Sequence, residues 1–362
     1  MKNKILVGMS GGVDSTITAY LLKKAGHEVT GVTMSIWDKN ASDITSVKSG
    51  CYGPGEEKDI ADAKKAAEKI GVLHYVVGLK DEYKKSVLEY FCAEYSAGKT
   101  PNPCIICNQK IKFGLLLDKA YQQGIEFDFF ATGHYAIKDF NEQTQRYLLK
   151  KSSDLRKDQS YFLYRLSQEQ LKKILFPLGT YQKTEIQKLA SEIGLQDFVD
   201  KPESQDFYEG DDYGAFFPEG QVKPGDIVDN AGKVWGKHDG IIHYTIGQRK
   251  GLSIGGLKEP LYVIRLDACK NQVIIGPQKD LLSSKLIARD LNWIAIPSLD
   301  KSMRVKAKIR LHHPEADCII TPEGNGQVKV EFNEPQKSIS PGQSIVFYEG
   351  DTVIGGGIID LV

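Results

Sequence analysis

Ser10-Gly11-Gly12-Val13-Asp14-Ser15 follows the apolar run Ile5-Leu6-Val7 and opens a helix-like stretch from Thr16 to Ala25. A strand that feeds a glycine turn and then a helix sets backbone N–H groups and a helix N-terminus at the strand's carboxyl end, where an anion binds. The Walker loop needs G-x-x-x-x-G-K-[ST], whose lysine serves the terminal phosphates. Here Asp14 and two hydroxyls stand in that region instead. The stretch therefore suits pyrophosphate with magnesium, the amides taking the oxygens and Asp14 the metal through water. An ordinary glycine turn is the competing reading.

The 362 residues are 41% hydrophobic and 26% charged, an ordinary globular composition with room for two or three domains. No apolar run reads as a signal peptide or a membrane span, so the chain is expected in the cytoplasm. Lys+Arg 47 against Asp+Glu 47 argues against a protein that coats nucleic acid indiscriminately, while leaving room for a local basic surface.

Gly26 reads as a helix stop, and Glu28 to Met34 as a strand that completes a βαβ unit. A helix over Asp59 to Ile70 with Asp59 as N-cap, the strand Val72 to Leu79 and helices over Asp81 to Ala97 and Lys110 to Gln123 follow. The strand Phe127 to Ala131 then delivers Thr132-Gly133-His134 to a loop. This alternation predicts a doubly wound parallel-sheet α/β domain with its ligand site at the strand carboxyl ends, beside Gly11, Met34 and Gly133. Leu166 to Val199 reads as a helical connector. From Lys201 onward glycine, proline and β-branched residues recur, as in all-β structure. Runs such as Gly240 to Ile246 and Leu261 to Leu266 read as strands of a small β domain. Boundaries are expected at 1–204, 205–278 for that domain, and 279–362 for a C-terminal β-barrel.

Thr100-Pro101-Asn102-Pro103-Cys104-Ile105-Ile106-Cys107-Asn108 puts two thiols one turn apart at the start of a helix. A helix N-terminus lowers a thiol's pKa, so both are expected to be thiolate-rich. In a cytosolic chain such a pair reads as metal or redox chemistry before it reads as a disulfide, and two packed core cysteines are the bland alternative. Arg304-Val305-Lys306-Ala307-Lys308-Ile309-Arg310 alternates charge with apolar residues. A strand there presents four cations on one face, either to phosphate or simply to solvent.

S-G-G-x-D-S resembles the PP-loop of ATP pyrophosphatases. With T-P-N-P-C-x-x-C-N it forms a set that continues through Ala131-Thr132-Gly133-His134-Tyr135, Lys157-Asp158-Gln159-Ser160-Tyr161-Phe162-Leu163, Glu203-Ser204-Gln205-Asp206, Tyr244-Thr245-Ile246-Gly247-Gln248-Arg249-Lys250-Gly251-Leu252 and Ser340-Pro341-Gly342-Gln343. In order and spacing the set resembles the tRNA-uridine 2-sulfurtransferases of the MnmA/TrmU type. The resemblance implies a PP-loop ATP pyrophosphatase domain, a central β domain and a C-terminal tRNA-binding barrel. It also implies ATP-dependent 2-thiolation of the wobble uridine in the tRNAs for lysine, glutamate and glutamine, with release of AMP and pyrophosphate.

Carried over by position, Gly8, Met9, Ser10, Gly11, Gly12, Val13, Asp14, Ser15, Met34 and Gly133 would bind ATP with magnesium. Cys104 would be the nucleophile, with Cys107 and Asp14 also catalytic. Lys99, Thr100 and Pro101 would approach the base, and His134, Lys157, Asp158, Gln159, Arg310, Leu311 and Gln343 would contact tRNA. The partners implied are tRNA and a sulfur donor, either a cysteine desulfurase relay or free sulfide, with no DNA and no membrane. The chemistry suits the residue types: adenylation makes a uracil oxygen a leaving group, and a soft sulfur displaces it. The base must leave the anticodon stack to reach such a pocket.

Two departures stand out. Tyr208 occupies the place where better-known members carry a second cysteine that receives the persulfide, and Leu311 replaces an aromatic before His312. Cys92 and Cys318 read as core, and Cys269 lies in a distant turn. Cys51, in a glycine-proline turn, therefore joins Cys104 and Cys107 as the three thiols expected to converge. They suit a 4Fe-4S cluster with one open iron, with a persulfide on Cys104 or Cys107 and a structural zinc as alternatives. Rival functions are a PP-loop ligase acting on a small metabolite and a non-catalytic RNA-binding relative.

Overall fold

Buried Ile5, Leu6 and Val7 form the central strand β1 (Lys4–Gly8) of a parallel sheet. The computed structural model describes residues 2–38, 50–199, 201, 206–252, 254 and 259–362; the expected motif residues Glu203, Ser204 and Gln205 lie outside them. β1 pairs with β2 (Glu28–Ser35) on one side, and the short β3 (Gly50–Tyr52) follows in the chain. β4 (Leu73–Gly78) extends the sheet beyond β2, and β5 (Phe129–Thr132) lies on the other side of β1. The next two strands, β6 (Ile137–Asn141) and β7 (Arg146–Lys150), form an antiparallel hairpin, and β8 (Ile174–Leu175) closes the order β4-β2-β1-β5-β8. Helix α1 (Val13–Lys24) connects β1 to β2 and ends at Gly26, whose φ of 89° is the left-handed conformation a helix stop uses.

Several boundaries differ from the sequence expectation. Helix α2 spans Glu56–Lys69, not Asp59 onward, because Glu56 accepts from the N–H groups of Ile36 and Trp37 and is fixed inside the first turn. The next helix runs over 80–96 with a π-helical stretch at Lys84–Leu88. The thiol-bearing helix runs over 103–122 and starts at Pro103, where Asn102 caps it through Ile105 N. The expected connector is only partly helical, since Ile174–Leu175 is the edge strand of the sheet between Gln168–Lys173 and Lys183–Glu192.

Downstream, β9 (Asp206–Tyr208) pairs in parallel with β3. β10 (Gly225–Asp229), β11 (Val234–His238), β12 (Tyr262–Asp267) and β13 (Gln272–Gly276) make a separate four-stranded sheet. The strand expected at Gly240 to Ile246 is a short helical turn instead: Ile241 and Ile242 are both buried, which strand alternation does not allow. β14 (Leu282–Trp293), β15 (Met303–Lys308), β16 (Ala316–Gly324), β17 (Gln327–Lys337), β18 (Ser344–Glu349) and β19 (Thr352–Leu361) close into a six-stranded barrel through the β14–β19 pairing. The β6–β7 hairpin, from the N-terminal part of the chain, adds to this barrel sheet where Lys150 meets Thr352. Among the described residues no helix is long and apolar enough to cross a membrane.

Candidate active site

The glycine-rich loop leaves β1 at Gly8 and enters α1 with Gly12 at the N-cap and no side chain capping the helix. The amides of its first turn are thus left to a ligand. Ser10 N donates to Ser15 Oγ at 3.2 Å, and Ser15 Oγ donates to Gly12 O at 3.1 Å, so the hydroxyls brace the loop from within. Met9 is tied to β2, its N–H donating to Val32 O at 2.8 Å and its carbonyl accepting from Thr33 Oγ1 at 2.6 Å. Gly11 (φ 72°) lies so close to α2 that a Cβ would come 2.7 Å from Asp59 O. A Cβ on Gly133 would come 2.8 Å from Ser15 N, so the loop after β5 can touch the start of α1 only as glycine. Met34 is half-buried near the carboxyl end of β2, the same end of the parallel strands at which the loop leaves β1.

Asp14 is held by residues far away in sequence. Lys183 Nζ lies 2.8 and 2.7 Å from its two carboxylate oxygens, and Tyr135 OH donates to Oδ1 at 2.9 Å. Lys183 begins the helix Lys183–Glu192, and its N–H donates to Asp154 Oδ2 at 3.1 Å. Sequence reading missed Lys183 because 169 residues separate it from Asp14 and no motif surrounds it. A lysine opening a connector helix carries no local signal.

His134 accepts or donates at Nδ1 with Thr132 Oγ1, 2.7 Å away, and packs between Phe113 and Phe176. Burial, and then nearby Lys112, hold its pKa well below the usual histidine value, so the ring is neutral at pH 7. Gln159 exchanges backbone and side-chain bonds with Tyr135, which draws Lys157 to Gln159 against the Gly133 loop. Asp158 points inward and accepts from Ser152 N, Ser160 N and Ser160 Oγ.

Gln343 Nε2 donates to the carbonyls of Thr100 and Pro101 at 3.0 and 3.3 Å, so the barrel docks on the segment leading to the thiols. Lys99 pairs with Asp360 of β19 at 2.9 Å. Arg304 and Lys306 are exposed while Val305, Ala307 and Ile309 are buried, but β15 ends at Lys308, which is half-buried, so the expected stripe of four cations is shorter and Arg310 lies beyond the strand. Arg310 is exposed and donates to Lys337 O, and Leu311 packs at the edge of the main core.

The thiols differ from expectation. Burial drives Cys104 far above the usual thiol range, with Cys51 and Cys107 adding to it, and raises Cys107 to about 11. Loss of water outweighs the helix-terminus field that sequence reading relied on, so both thiols are neutral at pH 7. Buried Tyr83 lies within electrostatic range of all three: its pKa is raised by burial first, then by Cys107, Cys51 and Cys104. The β3–β9 pairing, with Gly50 opposite Asp206 and Tyr52 opposite Tyr208, sets Cys51 alongside the strand that carries Tyr208. Tyr208 itself is 2% exposed and packs 4.5 Å from Phe216, a core role. Among the described residues, however, no group of three Cys, His, Asp or Glu stands close enough to hold a metal ion. As placed, Cys51, Cys104 and Cys107 do not fit the expected 4Fe-4S cluster.

The tRNA methyl transferase HUP domain model matches residues 3–208, the PRC-barrel domain of the same series matches 218–277, and the aminomethyltransferase beta-barrel domain matches 283–359. Over 99% of its length this chain is 49% identical to tRNA-specific 2-thiouridylase MnmA 2 of Caldanaerobacter subterraneus subsp. tengcongensis, covering 98% of that protein. The chain belongs to the tRNA-specific 2-thiouridylase family. Two further relatives agree: MnmA of Acetivibrio thermocellus is 48% identical over 99% of both chains, and that of Endomicrobium trichonymphae 51% over 98% of both. Membership of the 2-thiouridylase family makes this chain a transferase with an ATP-using PP-loop domain.

Proposed function

We propose that this chain transfers sulfur to C2 of the wobble uridine of tRNA, in the tRNAs for lysine, glutamate and glutamine, in the cytoplasm. What carries the reading is the identity of about half the residues to named 2-thiouridylases across nearly the whole chain, spanning loop, thiols and barrel together. Residues Gly8 to Ser15, Met34 and Gly133 take ATP, whose magnesium balances the phosphate charge. The uracil O2 attacks the α-phosphorus and the bond to the bridging oxygen breaks. Pyrophosphate leaves with the electron pair, and the N3 proton passes to solvent.

Sulfur then adds at C2, the C2–O bond breaks and AMP departs with its electron pair. In this reading Cys104 carries the sulfur as a persulfide supplied by a cysteine desulfurase relay. Cys107, one turn on, gives its proton to solvent and attacks Cys104 Sγ; the persulfide bond breaks with its electron pair on the sulfur at C2, N3 takes a proton back from solvent, and a Cys104–Cys107 disulfide is left for a cellular thiol to reduce. Lys99 to Pro101 lie next to the base, and His134, Lys157, Gln159, Arg310 and Gln343 line the tRNA path, whereas Asp158, expected there, is turned inward to brace its loop through Ser152 and Ser160, and Leu311 packs on the core. The domain limits 1–204, 205–278 and 279–362 assign adenylation to the first and tRNA binding to the last.

The test is to incubate the protein with ATP and measure pyrophosphate with and without unmodified tRNA, then weigh the tRNA nucleosides after adding a persulfide donor. Pyrophosphate release that requires tRNA, with a gain of one sulfur for oxygen at uridine, is the expected result. Release with a small metabolite alone, or none, overturns the reading.

A further inference from the structure

We propose that Lys183 is the cation that holds the pyrophosphate portion of ATP, the part that the glycine-rich loop lacks in its own sequence. The inference rests on the ATP-dependent reading above and deepens it.

Lys183 is 7% exposed, and a lysine so buried needs a charged partner. Its partner is Asp14, inside the loop, contacted by both carboxylate oxygens at 2.8 and 2.7 Å. Asp14 alone would set a negative charge beside the uncapped start of α1, where a polyanion has to bind. With Lys183 the site is neutral when empty. When nucleotide arrives the ammonium is already within a side-chain rotation of the loop, and a lysine binds phosphate as a compact point charge.

The surroundings fix this geometry. Asp154 Oδ2 accepts from Lys183 N at 3.1 Å and so anchors the first turn of its helix. Tyr135 OH holds Asp14 Oδ1 at 2.9 Å, which keeps the carboxylate in the loop when the lysine turns away. As the uracil O2 bonds to the α-phosphorus and the bond to the bridging oxygen breaks, negative charge gathers on the pyrophosphate. The Lys183 ammonium stabilises that charge where it forms.

The test uses the full chain, with magnesium pyrophosphate as the probe. Lys183→Gln should bind it at least tenfold more weakly than wild type by calorimetry, and form AMP at least a hundredfold more slowly at saturating ATP, with tRNA affinity unchanged. A folded Lys183→Gln that binds pyrophosphate like wild type overturns the proposal and leaves Lys183 a structural clamp. If Lys183→Gln does not fold, Lys183→Arg, which keeps the charge, assigns the Lys183 Nζ resonance in wild-type protein labelled with 15N-lysine. That resonance should shift on adding magnesium pyrophosphate, and an unmoved resonance overturns the proposal. Wild-type protein that binds neither ATP nor pyrophosphate would instead remove the ATP reading on which the inference stands.

Discussion

Gln343, in the turn before β18, donates its side-chain amide to Thr100 O at 3.0 Å, while Thr100 N donates to Pro341 O at 2.8 Å. The barrel is thereby bonded to the segment that leads into Pro103 and Cys104. Gly342 (φ 89°) completes the junction, since a Cβ there would come 2.9 Å from both Lys99 Cβ and Thr100 N. Binding at the barrel and the position of the thiols therefore share one set of backbone contacts.

Gln343→Ala should cost about 1 kcal/mol of stability, the net worth of one or two side-chain bonds to backbone. Gly342→Ala should cost more, because it adds both a clash and a left-handed φ. Urea unfolding of the two variants checks the order. Thiolation should fall in both while ATP binding stays unchanged, because the nucleotide loop is elsewhere.

Asp14→Ala should abolish tRNA-dependent pyrophosphate release and leave tRNA affinity nearly unchanged. It also strands the buried Lys183 ammonium, so stability should fall by about 2 kcal/mol, less than for a fully buried pair because Asp14 is partly exposed. Filter binding, pyrophosphate assay and thermal melting read the three effects separately. Normal thiolation by this variant would remove the loop from the reaction.

The nucleotide loop was legible because its signals are local: an apolar strand, a glycine turn and a helix in register. The barrel's basic strand was legible for the same reason, alternation over a few residues. Lys183 was not, since its meaning lies in a contact with Asp14 across the fold. The β6–β7 hairpin was also missed. Its residues alternate only weakly, and it joins the barrel through Lys150 and Thr352, a pairing that no neighbouring residue announces. The thiols were located from their motif, yet their protonation was misjudged, because it is set by burial in the folded core, beside Tyr83 of the helix 80–96, and not by the helix terminus.

Replacing Lys306 and Lys308 together by Ala should weaken tRNA binding and reduce the slope of log affinity against log salt by about 1.5, the release expected for two lost phosphate contacts. Lys306 is exposed and Lys308 is half-buried, its Nζ 6.0 Å from the Tyr348 ring, so the first should contribute more to the slope. Fluorescence titrations at several salt concentrations measure it. An unchanged slope would make the strand a solvated face.

The raised thiols give a pH prediction with a definite sign. Cys107 holds its proton up to about 11, against about 8.5 for an unfolded thiol. The folded state therefore binds this proton more tightly. Its stabilising contribution is complete below pH 8.5 and is lost as pH rises toward 11. The Cys104 thiol acts in the same direction over a higher range. Unfolding free energy should thus fall between pH 8.5 and 11 in the wild type, and fall less steeply in Cys107→Ser. Alkylation by iodoacetamide at pH 7.5 should mark exposed Cys269 well before Cys104 or Cys107, and the rate at Cys107 should climb about tenfold per pH unit toward 11. Peptide mass spectrometry after timed labelling reads each site. Rapid labelling of Cys104 at pH 7.5 would mean that the helix terminus, and not burial, governs the thiol.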